Sequence, residues 1–68
     1  MLNEKIETIT GLINTYINSA HIEFKAYGSS TYYNLLYSRI CGMIEVLATI
    51  TGKDYYFDEN GLHEREHK

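Results

Sequence analysis

The stretch GSSTYYNLLYSRICGMIEVLATITG, residues 28–52, decides the fold of this chain. It begins and ends with a glycine, the residue that most often adopts the left-handed conformation just after the last turn of a helix. Gly28 therefore predicts the end of one helix, and Gly52 the end of the next. The two serines and the threonine that follow Gly28 offer side-chain oxygens that can accept from the free backbone N–H groups at a helix start. We predict a second helix over about residues 30–51.

The residues before Gly28 have the spacing of an amphipathic helix. Their apolar side chains recur at steps of three and four residues and fall within an arc about 100° wide. These side chains are Leu2, Ile6, Ile9, Ile13, Tyr16, Ile17, Ala20, Phe24 and Tyr27. We therefore predict a first helix over about residues 3–27. Because the connection to the second helix is so short, the two helices should lie antiparallel.

The second helix is apolar around more of its surface than one neighbouring helix can cover. Its apolar residues occupy about half of the helical circumference, and the remaining strip carries mostly small or weakly polar side chains. That strip consists of Thr31, Asn34, Ser38, Gly42, Glu45 and Thr49. Gly42 lowers helix stability by up to about 1 kcal/mol relative to alanine. Glycine is commonly found inside a helix where two backbones approach closely.

The size of the chain favours an oligomer. A domain of 68 residues buries only about 60% of the surface that its unfolded chain exposes, and one cysteine cannot form an internal disulfide. Because two helices cannot enclose a core, we predict that two hairpins pair into a dimeric four-helix bundle, or assemble further. The alternative is that Gly42 is merely tolerated on an exposed face. The predicted interface consists of Leu35, Ser38, Gly42, Glu45, Val46 and Thr49.

The segment after Gly52 allows two interpretations. An aromatic run at residues 55–57 followed by Asn60 and Gly61 is typical of a β-hairpin. An extended segment that folds its aromatic side chains back on the helices is the other interpretation, and we favour it because an isolated hairpin is only marginally stable. The sequence therefore predicts an all-α fold. Residues 1–52 form the helical hairpin, and residues 53–68 form an aromatic extension and a charged tail.

Arg39 is the most informative charged residue because it projects from an otherwise apolar sector of the second helix. The nearest acid on that helix, Glu45, points about 120° away and cannot pair with Arg39 within the helix. Arg39 must reach water, meet an acid from another segment or subunit, or bind an anionic ligand. Glu45 of a second copy is the simplest acidic partner. For an anionic ligand, we expect Arg39 to form a pocket with Tyr32, Tyr33 and Tyr37 between subunits.

The sequence predicts no catalytic residue, no metal site and no cofactor. The string HEREH at residues 63–67 matches the zinc-protease pattern H-E-x-x-H. Both residues inside that pattern are charged, whereas such a helix normally lies inside an enzyme, so we interpret the string as a solvated tail. Cys41 has no histidine near it in the sequence, and we expect a buried structural thiol rather than a nucleophile.

Composition limits the partners and the compartment. Six Lys and Arg against nine Asp and Glu give a net charge of −3, so the chain lacks the basic patch that binds a nucleic-acid backbone. We expect no signal peptide and no membrane span, because no apolar stretch is long enough to cross a bilayer. A single cysteine fits a reducing compartment. We therefore expect a cytoplasmic protein that makes no contact with a membrane.

These observations favour a small non-enzymatic interaction protein that binds copies of itself and another protein. Heavy use of Ile, Tyr, Asn and Lys, which AT-rich codons encode, suggests a low-GC bacterium or one of its phages. The protein would then be an accessory factor of a phage or mobile element that binds a protein target. The alternative is a sponge-like protein that sequesters a small anionic ligand, such as a nucleotide, in the tyrosine and arginine pocket between subunits.

Overall fold

A computed structural model describes residues 2–65 of the chain. Two helices are followed by two strands. Helix α1 spans Leu2–Tyr27 and helix α2 spans Thr31–Thr51, whereas strand β1 spans Asp54–Asp58 and strand β2 spans Gly61–Arg65. The first helix begins one residue before its predicted range, and the second begins one residue after it.

Both helices end at a glycine, for the reason that the sequence indicates. Gly28 has a φ angle of 70° and Gly52 has one of 72°. Both angles lie in the left-handed region, which residues with a Cβ atom rarely adopt. The N–H of Gly28 donates to the carbonyl of Phe24, and the N–H of Gly52 donates to the carbonyl of Ala48, both at 2.8 Å. Each bond satisfies a carbonyl that the helix end would otherwise leave open.

The N-cap of α2 also ties the two helices together. The side-chain oxygen of Ser30 accepts from the backbone N–H of Tyr33 at 3.0 Å, which is the usual role of an N-cap serine. The same hydroxyl donates to the carboxylate of Glu23 at 2.7 Å. Because Glu23 lies on the last turns of α1, this contact fixes where α2 starts relative to α1.

The two helices pack on each other through a small core. Its buried side chains follow the three- and four-residue steps that place them on the facing sides of the two helices. These side chains are Ile13, Ile17 and Ala20 from α1, and Leu36, Ile40 and Leu47 from α2. Partly buried apolar side chains surround them, and several come from the C-terminal segment.

The prediction of an all-α fold is wrong, because the C-terminal segment forms an antiparallel two-stranded hairpin. Tyr56 pairs with His63 and Phe57 pairs with Leu62 along the two strands. The extended segment that we favoured is wrong for the same reason. An isolated hairpin is marginally stable, but this one is not isolated. Tyr55, Phe57 and Leu62 pack against the helical core, so the helices supply the burial that the hairpin lacks alone.

The turn of the hairpin differs from the one that Asn-Gly most often makes. Asp58 pairs with Gly61, so Glu59 and Asn60 are the two loop residues. A type I′ turn needs positive φ at both of them, yet no residue other than glycine has a positive φ in the described chain. A carboxylate oxygen of Asp58 instead accepts from the N–H of Asn60 at 2.8 Å. Gly61, the residue after the loop, has the positive φ, 125°.

Asn14 of α1 docks the hairpin on the helices. Its side-chain oxygen accepts from the backbone N–H of Leu62 at 2.9 Å. A Cβ atom added to Gly61 would lie only 2.8 Å from that same oxygen. The hydrogen bond between Asn14 and Leu62, in the geometry seen here, therefore depends on glycine at position 61. Asn14 belongs to the polar stripe of α1, and the sequence gives no sign that this stripe faces a hairpin.

The hairpin also accounts for part of the apolar surface of α2. The ring of Tyr37 lies 5.2 Å from the ring of Phe57, centroid to centroid. A second neighbour for α2 is thus present within the same chain, which weakens the argument that only a second copy could cover this helix. The case for a dimer depends instead on the flank of α2 that the hairpin leaves open.

Candidate interaction surfaces

An open groove runs between α1 and α2 on the flank away from the hairpin. It encloses about 530 Å³, and Arg39 is the one charged residue that lines it. We call it the α1–α2 groove, and its lining residues are Ile9, Leu12 and Tyr16 from α1 and Arg39, Gly42, Met43 and Val46 from α2. Large apolar side chains remain open to solvent there, since Leu12 is 49% exposed and Val46 is 53% exposed.

A shallower hollow continues the groove along α2. It encloses about 290 Å³ and is lined by Glu45, Val46, Thr49 and Ile50. Val46 lines both hollows, so the two form one surface, and Ile50 is itself exposed. Exposed apolar side chains that adjoin along a groove, with polar residues beside them, offer a surface on which another chain could pack.

All six residues of the predicted interface are exposed in the single chain. Gly42 and Val46 line the α1–α2 groove, and Glu45 and Thr49 line the adjoining hollow. Leu35 and Ser38 lie on the same exposed side of α2 without lining either hollow. No atom from elsewhere in the chain comes within 4 Å of a Cβ added to Gly42. Packing within the chain therefore does not explain the glycine.

Arg39 and Glu45 make no ion pair within the part of the chain that the structure describes. Both side chains are exposed. In the single chain, Arg39 therefore reaches solvent at the edge of the groove. The two opposite charges remain open for contacts outside the single chain.

A row of four aromatic rings lies on the other flank of α2, against the hairpin. The centroids of Phe24 and Tyr33 are 5.1 Å apart, those of Tyr33 and Tyr37 are 6.1 Å apart, and Phe57 follows Tyr37 at 5.2 Å. All three pairs are tilted, which is a favourable arrangement for aromatic rings. This row brings together side chains from α1, α2 and β1.

The aromatic row lines a cavity of about 300 Å³. We call it the aromatic cavity, and its lining residues are Ile17, Ala20, His21, Phe24, Tyr33, Tyr37, Phe57, Asp58 and Glu59. The last two residues belong to the hairpin turn and place two carboxylates at its edge. Sequence reasoning missed this site because it places the tyrosines of α2 but not the hairpin that completes the cavity.

The structure separates the residues of the predicted tyrosine and arginine pocket. Tyr33 and Tyr37 line the aromatic cavity, whereas Arg39 lines the α1–α2 groove. Tyr32 is exposed and lines neither of them. Arg39 and the two packed tyrosines therefore do not meet within one chain.

The pKa of the Asp58 carboxyl group is lowered from its ordinary value. A hydrogen bond from His63 Nε2 at 2.9 Å is the main cause, and the N–H of Asn60 adds to it. Both donors favour the charged form of the carboxyl group and lower its pKa. The carboxylate of Asp58 therefore stays ionised at the edge of the aromatic cavity.

The remaining candidates for chemistry are dispersed. Within residues 2–65, no three His, Cys, Asp or Glu side chains are close enough to hold a metal ion. His67 of the H-E-x-x-H string lies outside the described residues, and His63 packs its ring against Tyr56. Our expectation of a buried thiol is wrong, because Cys41 is exposed and free.

None of the helices in the described range has an apolar stretch long enough to cross a lipid bilayer. Comparison with protein-family models, with curated proteins and with solved structures found no match. The functional argument therefore depends on the two surfaces described above.

Proposed function

We propose that the protein is a non-enzymatic interaction protein that forms a homodimer through the α1–α2 groove and binds a further protein partner. The observation that carries the dimer is the groove itself. Its apolar side chains, such as Leu12 and Val46, are about half exposed, although the chain is too short to leave much apolar surface unused. Burial of such side chains against a second copy would remove them from water, which stabilises association.

The charges of α2 are arranged so that a second copy can satisfy them. Arg39 lies three residues before Gly42, and Glu45 lies three residues after it. In an antiparallel pair of α2 helices that cross at Gly42, a two-fold axis brings Arg39 of each copy level with Glu45 of the other. The long side chain of Arg39 can then reach across to that carboxylate.

The same symmetry pairs the other residues of the predicted interface. Positions equally far from residue 42 come level with each other, so Leu35 meets Thr49 and Ser38 meets Val46. Gly42 itself lies where the two backbones are closest, and the absence of a side chain permits that approach. Such a self-complementary surface favours a second copy over an unrelated protein as the occupant of the groove.

A matched pair of glycine substitutions tests the dimer. Gly11 and Gly42 are both exposed helix positions, and a Cβ added to either meets nothing within 4 Å in its own chain. Gly42→Leu should reduce the mass measured by light scattering to that of a monomer, whereas Gly11→Leu should leave the dimer unchanged. An unchanged dimer in Gly42→Leu would remove Gly42 from the interface and contradict the proposed pairing.

A charge exchange tests the same pairing independently. Arg39→Glu should weaken the dimer because it places acidic residues level with each other, and Glu45→Arg should weaken it through paired cations. The double exchange should restore association. If the double variant dissociates as strongly as either single variant, the two residues do not face each other.

The alternative function, an anion-binding pocket between subunits, would need two copies to form it, because Arg39 and the packed tyrosines line different cavities of one chain. A cytoplasmic location belongs to the proposal as well. It is supported by the free and exposed thiol of Cys41, since an exposed thiol persists most readily in a reducing compartment.

A further inference from the structure

The aromatic cavity has the chemistry of a site for an organic cation. Four aromatic rings line it, and two of them are open to solvent, since Phe24 is 48% exposed and Tyr37 is 45% exposed. The face of an aromatic ring carries partial negative charge and attracts a cation placed over it. A negatively charged ligand is not attracted to these ring faces.

The edge of the cavity adds formal negative charge. Asp58 and Glu59 stand side by side on the hairpin turn and both line the cavity. Asp58 is held in place by the N–H of Asn60 and by His63, so its carboxylate is pre-oriented. The side chain of Glu59 is 68% exposed and lies 3.9 Å from His21, which leaves it free to turn toward a ligand.

The size and shape of the aromatic cavity suit a single side chain as the ligand. At about 300 Å³, the cavity lies at the lower limit of small-molecule sites. An arginine side chain suits it better than lysine, because the planar guanidinium group stacks on rings and can donate two parallel hydrogen bonds to one carboxylate. We infer that the aromatic cavity binds an arginine side chain on a basic segment of a partner protein.

This inference rests on the proposed function only in taking the partner to be a protein. All residues of the cavity come from one chain, so the site is complete without the dimer. The mass of the protein in solution reports the dimer, and the aromatic resonances report the cavity. The two proposals can therefore fail separately.

A pair of capped tripeptides tests the inference on the full chain. The probe is Gly-Arg-Gly, and its control is Gly-citrulline-Gly, which has nearly the same shape without the charge. We expect the arginine peptide to shift the ring resonances of Tyr37 and Phe57 in a saturable way, with a dissociation constant on the order of 1 mM. The citrulline peptide should bind at least about tenfold more weakly.

Two substitutions locate the bound peptide. Glu59→Gln removes one exposed charge and should weaken binding about two- to fivefold, and Tyr37→Leu should abolish the saturable shifts. Glu64→Gln and Tyr27→Leu change exposed residues outside the cavity and should leave the affinity unchanged. Equal shifts with both tripeptides, no saturation by about 10 mM, or equal effects of Glu59→Gln and Glu64→Gln would each overturn the inference.

Discussion

Replacement of Gly61 by alanine should destabilise the protein by about 2–4 kcal/mol. A residue with a Cβ at such a positive φ costs about 1–3 kcal/mol, and Gly61 has a φ of 125°. The new Cβ would also lie 2.8 Å from the side-chain oxygen of Asn14. Asn14 must then move, and the N–H of Leu62 loses its acceptor, which adds about 1 kcal/mol.

Gly28→Ala provides the matched control. Gly28 also has a positive φ, 70°, but an added Cβ meets nothing within 4 Å. It should cost about 1–2 kcal/mol from backbone strain alone. Urea unfolding followed by circular dichroism measures the loss of stability in both variants. The protein concentration must be the same in each experiment, because the stability of a dimer depends on concentration. Equal losses in the two variants would contradict the additional cost that the Asn14 contact imposes at position 61.

A double-mutant cycle isolates the docking contact. In an Asn14→Ala background, Gly61→Ala should lose only the backbone component, so its effect should fall by about 1 kcal/mol. If the effect of Gly61→Ala is the same in both backgrounds, the oxygen of Asn14 does not constrain the hairpin.

Three further predictions concern the helices and the turn. Gly11→Ala should raise the stability of the protein by up to about 1 kcal/mol. Gly42→Ala should raise it less, because the new methyl groups meet at the dimer axis. Equal increases in the melting temperature of the two variants would contradict this difference. Ser30→Ala should lower the free energy of unfolding, measured with urea, by about 1 kcal/mol because the N-cap is lost. Ser29→Ala is the control and should leave that free energy unchanged. Equal losses in the two variants would show that Ser30 does not act as the N-cap. Asp58→Asn keeps the acceptor for the turn but removes the charge. Because the pKa of Asp58 is lowered on folding, its contribution is present at neutral pH and fades as the pH falls below the ordinary aspartate value of about 3.9. The difference in the free energy of unfolding between wild type and Asp58→Asn should therefore shrink in acid. A difference that stays constant with pH would contradict this role of the Asp58 charge.

The helical part of the fold could be predicted because its signals are local. Gly28 and Gly52 end helices within reach of their own last turns, and Ser30 caps the helix that begins beside it. The hairpin could not be predicted in the same way. Its docking contact joins Asn14 to Leu62, which are 48 positions apart in the chain. Local propensity alone made an isolated hairpin look too weak to form.

The candidate sites were predictable only in part. The spacing of α2 places the six residues of the predicted interface on one side of the helix, and the structure leaves all six exposed. The same spacing sets Arg39 about 120° from Tyr33, so these two residues can share a pocket only across subunits, which is where the sequence predicts it. The carboxylates of the aromatic cavity depend on where the turn packs, and no local pattern specifies that.

Sedimentation equilibrium of the unmodified protein at micromolar concentrations tests the central claim most directly. The α1–α2 groove and the paired charges at residues 39 and 45 predict a particle of twice the 7.9 kDa chain mass. That particle should dissociate when Arg39 is changed to Glu. A folded particle of 7.9 kDa across the whole concentration range would contradict the dimer and leave the groove without its proposed occupant.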